Sequence, residues 1–204
     1  MDAVDLALIL AIDGSASVNM EYFGLIAGGT AAALRDPDIA HALISGPRHA
    51  SLVALLLWSG AAEQDLLLDW TRLAAPGDVA TLADAVDNMP RSIPAGLTAI
   101  GAALATCETL MTRLPAPASR RIVDFAGDGS NNDGPATEPP RDRLVAAGVT
   151  INGLCVLHEE PDLLQFYRAA VIGGADAFAL TCPNYAAFAA AMRQKLYRES
   201  LLIS

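Results

Sequence analysis

What this sequence has little of narrows its class first. No apolar run approaches the roughly 18 residues of a membrane span, so no membrane span is expected. Positive charge is scarce: 13 Lys and Arg stand against 23 Asp and Glu, for a net charge of −10. Phosphate contacts need clustered Lys and Arg, so a nucleic-acid partner is not expected. The acidic surface favours cations or basic partners only weakly. The three cysteines, Cys107, Cys155 and Cys182, form no CxxC pair, which argues against a zinc site or a thioredoxin motif. They are expected as buried free thiols, with a Cys155–Cys182 bridge as the alternative. There is no GxSxG elbow, no GxxxxGK[ST] loop, no internal repeat and no low-complexity tract. The N-terminus lacks a basic region, carries Asp2 and Asp5, and has its apolar stretch cut by Asp13. It is therefore not read as a signal peptide. Either the protein is cytoplasmic or a leader has been removed.

What is present suits a packed core. Of 204 residues, 53 % are hydrophobic and 18 % charged, which predicts one globular domain over 1–204. Residues 5–12 (DLALILAI) are continuously apolar, the pattern of a strand covered on both faces. Residues 51–58, 66–70, 120–126, 149–157 and 176–182 read as five further strands. Helices are expected over 21–34, 78–88, 99–114, 141–147, 161–171 and 184–199. The Asp36-Pro37 step ends the first of them, and His41 and His49 are expected to flank a loop. Only seven residues, 59–65, separate the second and third strands. A parallel crossover needs about a dozen or more, so these two must pair antiparallel. Strands alternating with helices give an α/β, doubly wound, mostly parallel six-stranded sheet. The expected order is 3-2-1-4-5-6, with strand 3 antiparallel and helices on both faces.

In such sheets ligands bind beyond the carboxyl ends of the strands. Three stretches carry oxygen-bearing side chains there: Asp13-Gly-Ser15-Ala-Ser17, Gly96-Leu-Thr98, and Asp128-Gly129. Each has an ordinary reading taken alone. Ser15, Ser17 and Thr98 could cap helices, and Asp13 and Asp128-Gly129 could form turns. Asn131, Asn132 and Asp133 read as ordinary turn residues, with a second cation site as the alternative. Their loop is not an EF-hand, because Asp133 and Pro139 stand where Gly and Glu are required.

Taken together and in this order, the three stretches resemble the metal loops of von Willebrand factor A domains, also called integrin I-like domains. DGSAS matches the family's DxSxS. Gly96-Leu-Thr98 before the small-residue helix AIGAAL looks like its second loop, and Asp128-Gly129 like its third. The resemblance covers nearly the whole chain and includes the antiparallel edge hairpin. The phrases GDGSNNDG, INGL and KLYRES look like an uncharacterised bacterial subgroup, often exported, which implies a periplasmic or secreted domain. The resemblance implies a metal-ion-dependent adhesion site with Ser15, Ser17 and Thr98 as direct or near-direct ligands. Asp13 and Asp128 would act partly through water. A protein partner's carboxylate would fill the open position. Alternating residues of an extended loop can turn Asp13, Ser15 and Ser17 toward one point, and a hard divalent cation wants about six oxygens. Mg2+ is the expected ion, with Mn2+ or Ca2+ as alternatives.

A strand ending in aspartate also suggests a metal-dependent hydrolase of phosphatase type. That chemistry needs a second acid two residues on. Ser15 stands there, and cannot carry out carboxylate proton transfer at neutral pH. The expectation is therefore a non-enzymatic, cation-dependent interaction domain. The hydrolase and a structural domain with a vestigial metal site are the alternatives, and oligomeric state is not readable. His158, at the end of the fifth strand, is a candidate auxiliary residue.

Overall fold

The computed structural model describes residues 2–201. Its centre is β1 (Val4–Asp13), buried at every position. On one side β1 pairs in parallel with β2 (Ser51–Trp58), and β2 pairs antiparallel with β3 (Gln64–Leu73). On the other side follow β4 (Ala118–Gly127), β5 (Thr150–Val156) and β6 (Ala179–Cys182), all parallel. The sheet order is β3-β2-β1-β4-β5-β6, as expected from the short second connection. That connection is a turn, with Ser59 N–H donating to the Glu63 carbonyl at 3.0 Å.

Successive strand residues face opposite sides of a sheet, and β1 divides accordingly. Leu6, Leu8, Leu10 and Ile12 pack under α1 (Met20–Leu34), α2 (Pro37–Ser45), α3 (Pro76–Asp87) and α7 (Phe188–Leu201). Ile9 and Ala11 pack under α4 (Ile100–Thr112), α5 (Glu138–Ala146) and α6 (Leu163–Phe166). Helix α6 continues as a wider π turn over Tyr167–Val171.

Four expectations need correction. The Asp36-Pro37 step does end α1, but it also starts α2. The Asp36 side chain accepts from the N–H of Asp38 (3.0 Å) and Ile39 (3.4 Å), and Pro37 occupies the first turn, where its missing N–H costs nothing. His41 thus lies on a helix and not beside a loop. The third strand is longer than 66–70, and the sixth begins at Ala179 and not 176. Asp176 has φ 56°, a left-handed conformation that no strand residue adopts.

All three cysteines are free and buried. Cys155 and Cys182 lie on the paired strands β5 and β6 but are not bridged. A buried charge cluster clamps α7 to the sheet. Lys195 Nζ lies 2.6 Å from Asp124 Oδ1 and 2.8 Å from Glu199 Oε1. Asn152 donates to that same Glu199 oxygen at 2.8 Å, and Arg120 donates to the Glu199 carbonyl at 2.9 Å.

Candidate metal centre

Parallel strands end at a common edge, which is why side chains distant in sequence meet there. Asp13 is the last residue of β1, and Asp128 follows the last residue of β4. Between them runs a chain of hydrogen bonds. Ser15 N–H donates to Asp13 Oδ1 at 2.7 Å, the Ser15 and Ser17 hydroxyls share a bond of 3.1 Å, and Ser17 Oγ donates to Asp128 Oδ1 at 2.7 Å. Ser17, Thr98 and Asp128 line one small cavity of about 130 Å³. Four of the five candidates are thus linked directly, and Thr98 faces the same space.

The hydroxyls are not spent as caps. The N-cap of α1 is Asn19, whose side chain accepts from Tyr22 N–H at 2.9 Å. The N-cap of α4 is Ala99, which has no side-chain cap. The α4 end is capped across space instead, with Asn131 Oδ1 accepting from Gly101 N–H at 3.0 Å. Asn132 Oδ1 accepts from Thr98 N–H at 2.8 Å, which fixes the second loop. Asp133 accepts from Ala61 N–H at 2.8 Å. The three residues read from sequence as plain turns are therefore the fasteners between the second loop, the third loop and the hairpin.

A further fastener carries no sequence signal. Arg91 Nη2 donates to the carbonyls of Gly14 and Ser15, each at 2.8 Å, and Ala16 N–H donates to the Gly96 carbonyl at 2.9 Å. Beneath the loops the floor leaves no spare room. A side chain starting at Gly127 would meet Tyr167 Oη at 2.8 Å and Asp13 Oδ2 at 2.9 Å. His158 is drawn off to one side, its Nε2 3.2 Å from Tyr22 Oη and its ring edge-on to that tyrosine.

The electrostatics of this edge disfavour two charged carboxylates side by side. Asp13 and Asp128 are 0 % and 1 % exposed, and the Oδ2 of each has no hydrogen-bond partner. Buried polar atoms are ordinarily satisfied, so two orphaned carboxylate oxygens at one edge need an explanation. Burial, and then the charge of Asp128, push the Asp13 carboxyl up to about 7. A divalent ion would relieve both effects. Among the described residues no three His, Cys, Asp or Glu side chains form a cluster able to hold an ion on their own. An ion held at this edge would therefore also need the serine and threonine hydroxyls. Hydroxyl and carboxylate oxygens suit hard ions such as Mg2+, Mn2+ or Ca2+.

The chain resembles known proteins along nearly its whole length. A family model described as protein of unknown function (DUF1194) matches residues 3–202. No curated protein matches. Among solved structures, a von Willebrand factor type A protein from Catenulispora acidiphila has a TM-score of 0.65 at 17 % identity, covering 97 % of this chain and 43 % of its own. The vWF domain of the type V pili tip protein Mfa5 from Porphyromonas gingivalis has a TM-score of 0.65 at 10 % identity, covering 98 % and 96 %. Proximal thread matrix protein 1 from the mussel byssus, solved with a zinc-occupied MIDAS motif, has a TM-score of 0.68 at 15 % identity, covering 95 % and 47 %. The chain thus spans less than half the length of two of these structures. The likenesses show that the fold is that of von Willebrand factor A domains.

Proposed function

We propose that this chain, which belongs to the family described as protein of unknown function (DUF1194), is a divalent-cation-dependent protein-interaction domain. Asp13, Ser15, Ser17, Thr98 and Asp128 would hold the ion. The observation that carries this reading is the pair of buried, unpartnered carboxylate oxygens joined by a serine chain at one strand edge. With the three neutral hydroxyls as direct ligands and the two carboxylates acting partly through water, a divalent ion would keep an open, electrophilic position that attracts a further carboxylate. That carboxylate is assigned to a protein partner. Leu97 supports the assignment: it lines the same cavity and is 58 % exposed, which gives an apolar contact beside the ion. A chain with net charge −10 repels acidic ligands at long range, so a cation would supply the local attraction. Mg2+ is the ion favoured, and a cell-surface or secreted setting accords with the pilus-tip relative. The phosphatase-type reading gains nothing from the geometry, because Ser15 stands where that chemistry needs a second carboxylic acid.

The test is thermal unfolding with and without millimolar Mg2+ or Mn2+. Wild type should melt higher with either ion, since a ligand at 100 times its dissociation constant adds about 2.7 kcal/mol. Asp13→Ala should lose the response while keeping the fold. Identical responses from the two proteins would overturn the reading.

A further inference from the structure

The cavity over the site has a wall that no sequence motif marks. Glu160, in the loop between β5 and α6, lines it together with Glu159, Ser17, Thr98 and Asp128. Its carboxylate is held in place: Oε1 accepts from Ser130 N–H at 3.0 Å and from Ser130 Oγ at 3.2 Å. Ser130 lies two residues beyond Asp128, so the loop bearing one site carboxylate also positions Glu160. A point one bond out from Gly129 Cα lies 3.4 Å from Thr98 Oγ1 and 3.6 Å from Glu160 Oε1. The threonine hydroxyl and the glutamate oxygen therefore flank the same small space, over a glycine that leaves it open. The nearby Asp128 Oδ2 is buried and unpartnered. Asp13, Asp128 and Glu160 are not gathered closely enough to hold an ion by themselves. Glu160 lines the same open cavity as Thr98 and Asp128, and its carboxylate is tethered there by Ser130.

We propose that Glu160 is the chain's own competitor for the open side of the cation, a tethered carboxylate that a partner's carboxylate must displace. The proposal rests on the metal reading above. The same charge serves two ends: it adds to the attraction for the ion and it screens the ion from outside acids. A domain built this way keeps its cation while responding weakly to stray carboxylates. It engages firmly when a partner brings additional contacts.

Glu160→Gln is the informative variant, because the amide oxygen can still accept from Ser130 while the charge is gone. Mn2+ serves as the probe, read by the relaxation of solvent water protons on titration. Acetate is then added to the Mn2+-loaded protein to displace metal-bound water. The variant is expected to bind Mn2+ about tenfold more weakly, in the range typical of losing a supporting group at a metal site. Once loaded, it should bind acetate more tightly than wild type. If Glu160→Gln binds Mn2+ as wild type does, or if its loaded form binds acetate no better, Glu160 has no such role and the proposal fails. In that outcome the site itself still stands, provided Asp13→Ala abolishes Mn2+ binding. If wild type binds no Mn2+, the metal reading fails and this proposal with it.

Discussion

Asp13 shows how much one residue's setting can govern. Its carboxyl is raised from the ordinary value of 3.8 to about 7, chiefly by burial and secondly by Asp128. The folded, metal-free protein therefore holds a proton that the unfolded chain has already released. The acid limb consequently runs opposite to that of a salt-bridged aspartate: metal-free stability should fall as pH rises from about 4 to about 7. Apparent affinity for Mg2+ should rise over the same window, because the ion must displace that proton. Urea denaturation across this range checks the first, with Asp13→Asn expected to show a shallower fall than wild type. Calorimetric titration checks the second. Asp13, Ser15, Ser17, Thr98 and Asp128 could be singled out in the sequence because their oxygens are spaced within short loops. Arg91, Asn131, Asn132 and Glu160 could not, since their partners lie 30 to 77 residues away in the chain. What they do exists only after the loops have met.

Elements were legible where one force dominates. The strands announce themselves by unbroken apolar runs, and the edge hairpin by a connection too short for anything else. Helix α2 was hidden because Asp36-Pro37 is both a stop and a start, and its apolar stripe is thin: Ile39 and Leu43 are its buried residues. Helix α7 was expected from its apolar stripe, which packs in the core through Phe188, Met192 and Leu196, and it also carries a polar attachment. Lys195 is fully buried between Asp124 and Glu199. Lys195→Met would strand Asp124 without its cation and is expected to cost about 3–5 kcal/mol, as for other broken buried ion pairs. Glu199 behaves differently. Burial, and then the charge of Asp124, raise its carboxyl above the ordinary glutamate value, so its charge is disfavoured there. Glu199→Gln should thus cost no more than about 1 kcal/mol, the scale of one hydrogen bond. Equilibrium urea unfolding of the two variants at pH 7 reads the contrast.

At the scale of the molecule, the two-sided core follows from composition and from the unbroken apolar run of β1, and both were open to reading in advance. The thiols belong to that core. Burial raises Cys155 to about 12 and Cys182 to about 11, and pushes Cys107 higher still. Thiolate, and not thiol, is the reactive species, so an aromatic disulfide reagent should modify the native protein slowly and find three thiols at once after unfolding. The arrangement of the sheet has a mechanical side as well. β1 enters at the edge opposite the candidate metal centre, and the end of α7 is fastened to Arg120 near the start of β4. A partner pulling at the metal against a hold on either end would draw along the strands. The hydrogen bonds that β1 makes with β2 and β4 would then share the tension together, where a pull across the sheet would open them one after another.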